Sequence, residues 1–266
     1  MRNQVLLVGL VWCVGGVVTA GRACGQVTDP WADRVVEYTP GAGVGVGYDN
    51  PFVALGSPTR VNAFGDAVTP FNTPYWWTDV VTVGRGGSLT VAFDEAVTDD
   101  DANPYGVDVL IFGNQFYTTD SDGRVSGVFS EGGSIELFDG SRWVMVPGAS
   151  AEGGFPTLGF LGIADLAFGG DTGSGPTDFT RPVDPSLDAT GLTREQLVVA
   201  YGGSGGGLGI DIGALGLSQV TMIRITNAVD ALGTPEIDGF ADVSPVPAPG
   251  TLVLACVAAA LRRRRR

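Results

Sequence analysis

The sequence contains no histidine. This absence excludes Ser-His-Asp and Cys-His nucleophilic catalysis, and it excludes zinc and iron sites that depend on imidazole ligands. Carboxylate chemistry of the kind that glycosidases use remains compatible with the composition, because it requires only aspartate and glutamate.

Cysteine is confined to the two ends of the chain. The three cysteines are Cys13, Cys24 and Cys256. The long segment between Cys24 and Cys256 therefore has no internal disulfide, and its stability must come from burial, backbone pairing and bound ions.

Positive charge is scarce between the two ends. The chain has no lysine, and only eight of its 15 arginines lie within residues 26–244, where all 29 acidic residues are found. Eight positive charges against 29 negative ones give this segment a formal charge of −21. Such a surface repels nucleic acids and anionic bilayers, so we predict no nucleic-acid partner. It favours solubility, salt tolerance or the attraction of divalent cations.

The first residues have the order of a secretory signal. Arg2 supplies the positive charge, residues 5–18 form an apolar run, and the small residues of VVTAGRACGQ follow. The apolar run is shorter than the ~20 residues that a membrane span needs. We expect signal peptidase to remove this segment, 1–25, with cleavage after Ala20 or after Gly25.

The last residues, 245–266, combine a Pro-rich spacer, a short apolar stretch and a basic cluster, in PVPAPGTLVLACVAAALRRRRR. The apolar residues 251–261 would form about 17 Å of helix at ~1.5 Å per residue, well short of the ~30 Å hydrocarbon core. This length suits transient membrane engagement, with the arginines on the cytoplasmic side. A tail anchor with a stop-transfer cluster is the alternative.

This tail resembles the PEP-CTERM sorting signal, which is also named an ice-binding protein C-terminal domain without implying ice binding. The resemblance implies that an exosortase-type enzyme cuts near the Pro-x-Pro motif and transfers the protein to the cell surface or extracellular matrix. Ala248 stands where that family usually has glutamate. The matching residues are Pro247, Pro249, Gly250, Arg262, Arg263, Arg264, Arg265 and Arg266.

Residues 26–244 have the pattern of one all-β domain. Short β-type runs alternate with glycine and aspartate turn signals, and the helical pattern is limited to short turns at 193–197, with Thr193 as N-cap, and 213–218. We therefore predict a single jelly-roll or β-sandwich domain. The predicted strands are residues 34–39, 79–83, 88–93, 107–112, 134–138, 142–146, 220–226 and 237–243.

Several segments of the domain carry further information. GRGG, between residues 79–83 and 88–93, predicts a hairpin, and Asp139-Gly140 predicts another. The nearly continuous apolar run VDVLIF at 107–112 predicts a central strand that is buried on both faces. The glycine-rich residues 201–209 lack the lysine of a P-loop, and we interpret them as a flexible connector.

The arrangement of motifs resembles a group of exported bacterial cell-surface proteins with galactose-binding-like, discoidin-type jelly rolls. The matching segments include ALGSPT, GVDVLIFGNQF, VTMIRITN and PEIDGFADV. The resemblance implies a jelly-roll fold and a location at the cell surface.

Calcium is the cofactor that the acidic segments favour, because hard cations bind clustered oxygen ligands. Alternation places Glu236 and Asp238 on one strand face, and the discoidin-type resemblance implies that one of them binds a structural calcium. Two other segments also qualify, although solvated turns explain both. They are Asp99, Asp100 and Asp101 with Asn103, and Asp120 and Asp122 with Glu131.

Two charged residues lie within apolar strands. A buried carboxylate needs a partner, so Asp108 or a neighbouring acid is expected to pair with Arg224, unless both side chains face solvent.

The aromatic run Tyr75, Trp76 and Trp77 follows FNTP in a loop-like segment. These rings either stack on a sugar or bridge core and surface. The sequence thus favours a non-catalytic surface or matrix protein that binds extracellular polysaccharide or another surface polymer. The alternatives are a carboxylate-dependent glycan-active enzyme, with Glu131 and Glu236 as an acid pair, and a purely structural envelope component.

Overall fold

The computed structural model describes residues 29–162 and 172–243. The described residues form an all-β sandwich, with strands in three antiparallel sheets, and this confirms the predicted fold class. Within these ranges, no helix has the length and apolar character needed to cross a bilayer. The predicted signal and sorting tail lie outside the described residues.

Two large sheets and one small sheet organise these strands. The five-stranded sheet has the order β1-β3-β10-β7-β8, the four-stranded sheet has the order β2-β11-β4-β9, and β5 pairs with β6. The strands are β1 (Arg34–Thr39), β2 (Val81–Thr82), β3 (Ser88–Thr98), β4 (Val109–Gly113), β5 (Phe116–Thr119), β6 (Val125–Phe129), β7 (Ser134–Phe138), β8 (Trp143–Met145), β9 (Leu208–Ile210), β10 (Gln219–Thr226) and β11 (Glu236–Asp242).

The predicted central strand is confirmed as β4, which lies between β11 and β9. Successive side chains of a strand point to opposite faces. Val109 and Ile111 accordingly enter the main core between the two large sheets. Leu110 and Phe112 enter a second cluster with Phe179. Every residue of β4 is buried, so both faces of this strand are covered.

The predicted hairpin at GRGG is wrong. β2 pairs with β11, whereas β3 pairs with β1 and β10, so the chain changes sheets at this turn. The glycines serve close packing instead. A Cβ on Gly84 would lie 2.7 Å from the Pro40 carbonyl oxygen, and one on Gly87 would lie 2.5 Å from the same atom. The glycines of GRGG therefore mark close backbone contact with the loop after β1, and not a hairpin turn.

Two local predictions are confirmed. β7 and β8 form the hairpin at Asp139-Gly140, where Asp139 Oδ1 accepts hydrogen bonds from the backbone N–H groups of Ser141 and Arg142. Thr193 caps the helix α1 (Arg194–Tyr201) in a capping box, although the helix is longer than predicted.

The ion pair of Arg224 involves a different acid from Asp108. Arg224 on β10 faces Glu136 on β7, with its Nη2 atom 2.8 Å from Glu136 Oε2. Its guanidinium carbon also lies 4.1 Å from the centre of the Trp143 ring. Asp108 is fully buried and is held by hydrogen bonds instead. The pairing follows from strand register, because Arg224 and Glu136 are directly opposed.

The interpretation of residues 201–209 as a flexible connector is also wrong. Leu208 begins β9, which pairs with β4. The preceding residues Ser204, Gly205, Gly206 and Gly207 are buried. This segment is therefore part of the packed interior.

Candidate functional site

Four exposed aromatic residues come from two loops, and we call them the aromatic platform: Phe64, Tyr75, Trp76 and Trp77. Ring contacts join the first three, whereas the Trp77 ring lies beside Gly47. Phe64 stacks on Tyr75 with ring centres 5.7 Å apart, and it meets Trp76 edge-on at 5.1 Å. Their exposed fractions run from 36% for Trp76 to 55% for Phe64. Large apolar side chains grouped in this way are typical of a binding surface.

Two hydrogen bonds hold the loops of the aromatic platform in place. Asp79 is 7% exposed, and its carboxylate accepts a hydrogen bond from the backbone N–H of Ala63 at 3.1 Å. This contact ties the loop of Phe64 to the loop of the other three rings. The Tyr48 hydroxyl donates to the Tyr75 carbonyl at 2.9 Å. The rings are thus positioned before any ligand arrives.

A cleft of about 190 Å³ adjoins the aromatic platform at Tyr75. Its walls combine aromatic rings with amide and hydroxyl groups. The Thr73 hydroxyl donates to the Asn114 carbonyl at 2.8 Å, and the Asn114 side-chain amide donates to Glu236. A cleft of this kind suits a polyhydroxylated ligand, because aromatic rings can pack against the ligand beside polar groups that fix its orientation. The residues that line the cleft are Phe71, Asn72, Thr73, Tyr75, Asn114 and Phe116.

Three glutamates meet behind this cleft, and we call Glu131, Glu152 and Glu236 the glutamate cluster. Glu152 is fully buried, and its two oxygens accept hydrogen bonds from the backbone N–H groups of Glu131 and Glu236, each at 2.6 Å. Burial raises the pKa of Glu152 to about 8 and that of Glu236 to about 7. Both oxygens of Glu152 are therefore engaged in holding backbone segments together.

The structure brings the backbone N–H groups of Glu131 and Glu236 to the carboxylate of Glu152, a residue that sequence reasoning missed. Glu152 lies in ASAEGG, which carries no strand or helix pattern. Only the presence of an acidic residue in a stretch of small residues marks it. The approach of the three segments depends on sheet topology, which no local pattern encodes.

Asp120 and Asp122 lie apart from Glu131. They occupy the exposed turn between β5 and β6, where Asp120 Oδ1 accepts hydrogen bonds from the backbone N–H groups of Asp122 and Arg124, each at 2.9 Å. Glu131 follows the far end of β6. The length of the two-stranded sheet therefore separates it from the two aspartates.

Glu236 and Asp238 have separate partners. Glu236 accepts a hydrogen bond from the Thr82 hydroxyl at 3.2 Å, whereas the buried Asp238 accepts from the Thr59 backbone N–H at 2.9 Å and from its hydroxyl at 2.7 Å. The register of β11 against β4 shifts between Ile237 and Gly239. Burial raises the pKa of Asp238 to about 7.

A third set of acids lies at the opposite end of β4, and we call Asp99, Asp108 and Asp211 the aspartate cluster. Each offers one carboxylate oxygen, and these three oxygens all lie within 4.8 Å of one another. Asp108 accepts hydrogen bonds from the Asn103 side-chain amide at 2.8 Å and from the Ile212 N–H at 3.1 Å. Sequence reasoning named Asp99 and Asn103 but not Asp211, which lies more than 100 residues away.

The sorting motif, from Pro247 to Arg266, lies outside the described residues. Searches for relatives add no assignment, because no protein-family model matches the chain and no curated protein is significantly similar to it. The assignment of a function to the candidate site therefore depends on the site's own residues.

Proposed function

We propose that this chain is a non-catalytic, exported surface or matrix protein whose β-sandwich binds a glycan through the aromatic platform. The export part of the proposal is supported by the signal-like N-terminal residues and by the resemblance of the tail to a sorting signal. Intact-mass analysis of surface-extracted protein tests it. We expect a mass that lacks residues 1–20 or 1–25 and is changed near Pro247, and an unprocessed chain in the cytosol would contradict it.

The aromatic platform is the observation that supports the glycan-binding part. The faces of aromatic rings carry partial negative charge, and the C–H groups that line a sugar ring pack against them. Asn72, Thr73 and Asn114 give the adjoining cleft a polar wall beside the rings of Phe71, Tyr75 and Phe116. Because the rings are held by Asp79 and Tyr48, little ordering is needed when a ligand binds.

Substitution of the aromatic platform tests this proposal. A Tyr75→Ala/Trp76→Ala double variant is expected to bind envelope polysaccharide at least ten-fold more weakly than the wild type in a glycan array and in titration calorimetry. Val199→Ala is the control, because Val199 is an exposed apolar residue of helix α1 that belongs neither to the aromatic platform nor to the lining of its cleft. Unchanged affinity in the double variant, or no glycan binding by the folded wild type, would contradict the proposal.

A carboxylate-dependent glycan-active enzyme is the second candidate, and the observation that favours it is the position of Glu131 in a cleft. Glu131 lines a cleft of about 520 Å³ beside Phe129 and Leu232. Two carboxyls roughly 5–10 Å apart would be needed for hydrolysis. The buried position of Glu152 supports a structural role for the cluster instead. Release of reducing ends from the bound glycan, abolished by Glu131→Gln, would transfer the assignment to this candidate.

A further inference from the structure

We propose that the aspartate cluster is a calcium site, independent of the aromatic platform, in which Asp99, Asp108 and Asp211 supply carboxylate oxygens and Asn103 supplies its side-chain oxygen. The site links two distant parts of the chain. One is the connection between β3 and β4, and the other is the connection that follows β9.

The spacing of the carboxylates fits one shared cation. Calcium binds oxygen ligands at about 2.3–2.6 Å, so two oxygens on the same ion lie at most about 5 Å apart. The three carboxylate oxygens of the aspartate cluster meet this limit, since all lie within 4.8 Å of one another. A set of carboxylates without histidine or cysteine is the ligand type that a hard cation prefers.

Asn103 provides an independent sign of a missing ligand. It is only 5% exposed, and its amide faces Asp108, to which Nδ2 donates at 2.8 Å. Its Oδ1 atom is buried and has no hydrogen-bond partner. Buried polar atoms are rarely left unsatisfied. A half-turn of the amide exchanges the two atoms. It gives up the Nδ2 hydrogen bond to Asp108 and turns Oδ1 toward the carboxylates, where a bound cation would replace that bond.

The negative charge here has no counter-charge among the described residues. The ion pairs described in residues 29–162 and 172–243 join Arg34 to Asp94, Arg142 to Asp139 and Arg224 to Glu136, and none includes a member of the aspartate cluster. The chain has no lysine at all. Asp108 is completely buried, and a buried carboxylate is costly unless hydrogen bonds and an opposite charge compensate for it.

Two glycines leave the carboxylates room to converge. A Cβ on Gly213 would lie 2.6 Å from Asp99 Oδ1, and a Cβ on Gly106 would lie 3.2 Å from Asp211 Oδ2. Any other residue at 213 would displace the Asp99 carboxylate. The local backbone is therefore shaped around these oxygen atoms.

Titration of the full-length chain with calcium chloride tests the proposal. After treatment with EDTA and its removal, we expect one calcium to bind in calorimetry and the melting temperature to rise by several degrees, because the ion binds only the folded state. The Asp99→Asn/Asp211→Asn double variant should bind at least ten-fold more weakly. Both of its altered side chains are at least partly exposed, so the variant should fold.

Asp122→Asn is the matched control. It removes an equally charged residue from an exposed turn and should leave calcium affinity unchanged. Absence of both heat and a melting shift in the folded wild type would overturn the proposal. Equal weakening by Asp122→Asn and by the double variant would overturn it as well, because binding would then follow net charge and not this cluster.

Discussion

The Glu152→Ala variant is expected to have a free energy of unfolding about 2–6 kcal/mol below that of the wild type. Glu152 is the acceptor for the backbone N–H groups of Glu131 and Glu236, and each donor left without a partner costs about 1–3 kcal/mol. Urea denaturation at pH 7 measures the difference. Glu152→Gln, which keeps one acceptor oxygen, should fall between the two proteins.

Glu37→Ala is the control for this substitution. Glu37 is an exposed residue of β1, so its removal should change stability by less than about 0.5 kcal/mol. If Glu152→Ala were equally harmless, the glutamate cluster would have no role in holding the three segments together.

The same cluster predicts how stability depends on pH. The folded-state pKa values of Glu152 and Glu236, about 8 and about 7, are raised by burial above the ordinary value of 4.5, and the nearby charge of Glu131 adds to the shift. The folded protein therefore binds protons more tightly than the unfolded chain. The stabilisation that comes from protonated Glu152 and Glu236 is complete below pH 4.5 and is lost as the pH rises through 7 and 8.

The wild type should accordingly melt at a lower temperature at pH 9 than at pH 5. The slope should be shallower in Glu152→Ala, whereas Asp238, whose pKa is raised to about 7 by burial, contributes the same slope in both proteins. Parallel slopes in the two proteins would show that Glu152 does not carry this dependence.

Gly205→Ala is the second substitution with a large expected effect, a loss of about 3 kcal/mol in the free energy of unfolding. A Cβ at this position would lie 2.0 Å from Cδ1 of Phe179, whose ring is buried. Phe179 cannot easily move, because it packs edge-on against Phe112 at 5.3 Å and lies under the Arg60 guanidinium at 3.9 Å. Denaturant unfolding measures the loss.

Gly127→Ala provides the comparison for this overpacking. At Gly127 on β6, a Cβ would meet only the Thr118 hydroxyl, at 3.3 Å, and that side chain can rotate away. Its cost should stay below about 1 kcal/mol, since no backbone or ring needs to shift. A similar loss in both variants would mean that the general flexibility of glycine, and not contact with Phe179, sets the cost in free energy of substituting residue 205.

Local features of this fold were predictable because they depend on residues close together in the chain. The alternation of β10, the apolar run of β4, the turn at Asp139-Gly140 and the cap at Thr193 each follow from contacts within about ten residues. Backbone geometry and side-chain direction are set over that distance, so the sequence alone indicated an all-β domain and eight of the eleven described strands. It missed β5, β6 and β9, which are short, and glycine interrupts both β6 and β9.

The sites depended on tertiary structure. Asp108 meets Asp211 only because β4 pairs with β9. Glu131, Glu152 and Glu236 meet only because two loops converge on the first residue of β11. Gly84 and Gly205 likewise have no room for a Cβ atom, because residues that are distant in sequence pack directly against them. Sequence alone determined which residues were acidic, aromatic or small. Long-range strand pairing decided which of them became neighbours, because it joins segments whose separation in sequence carries no local signal.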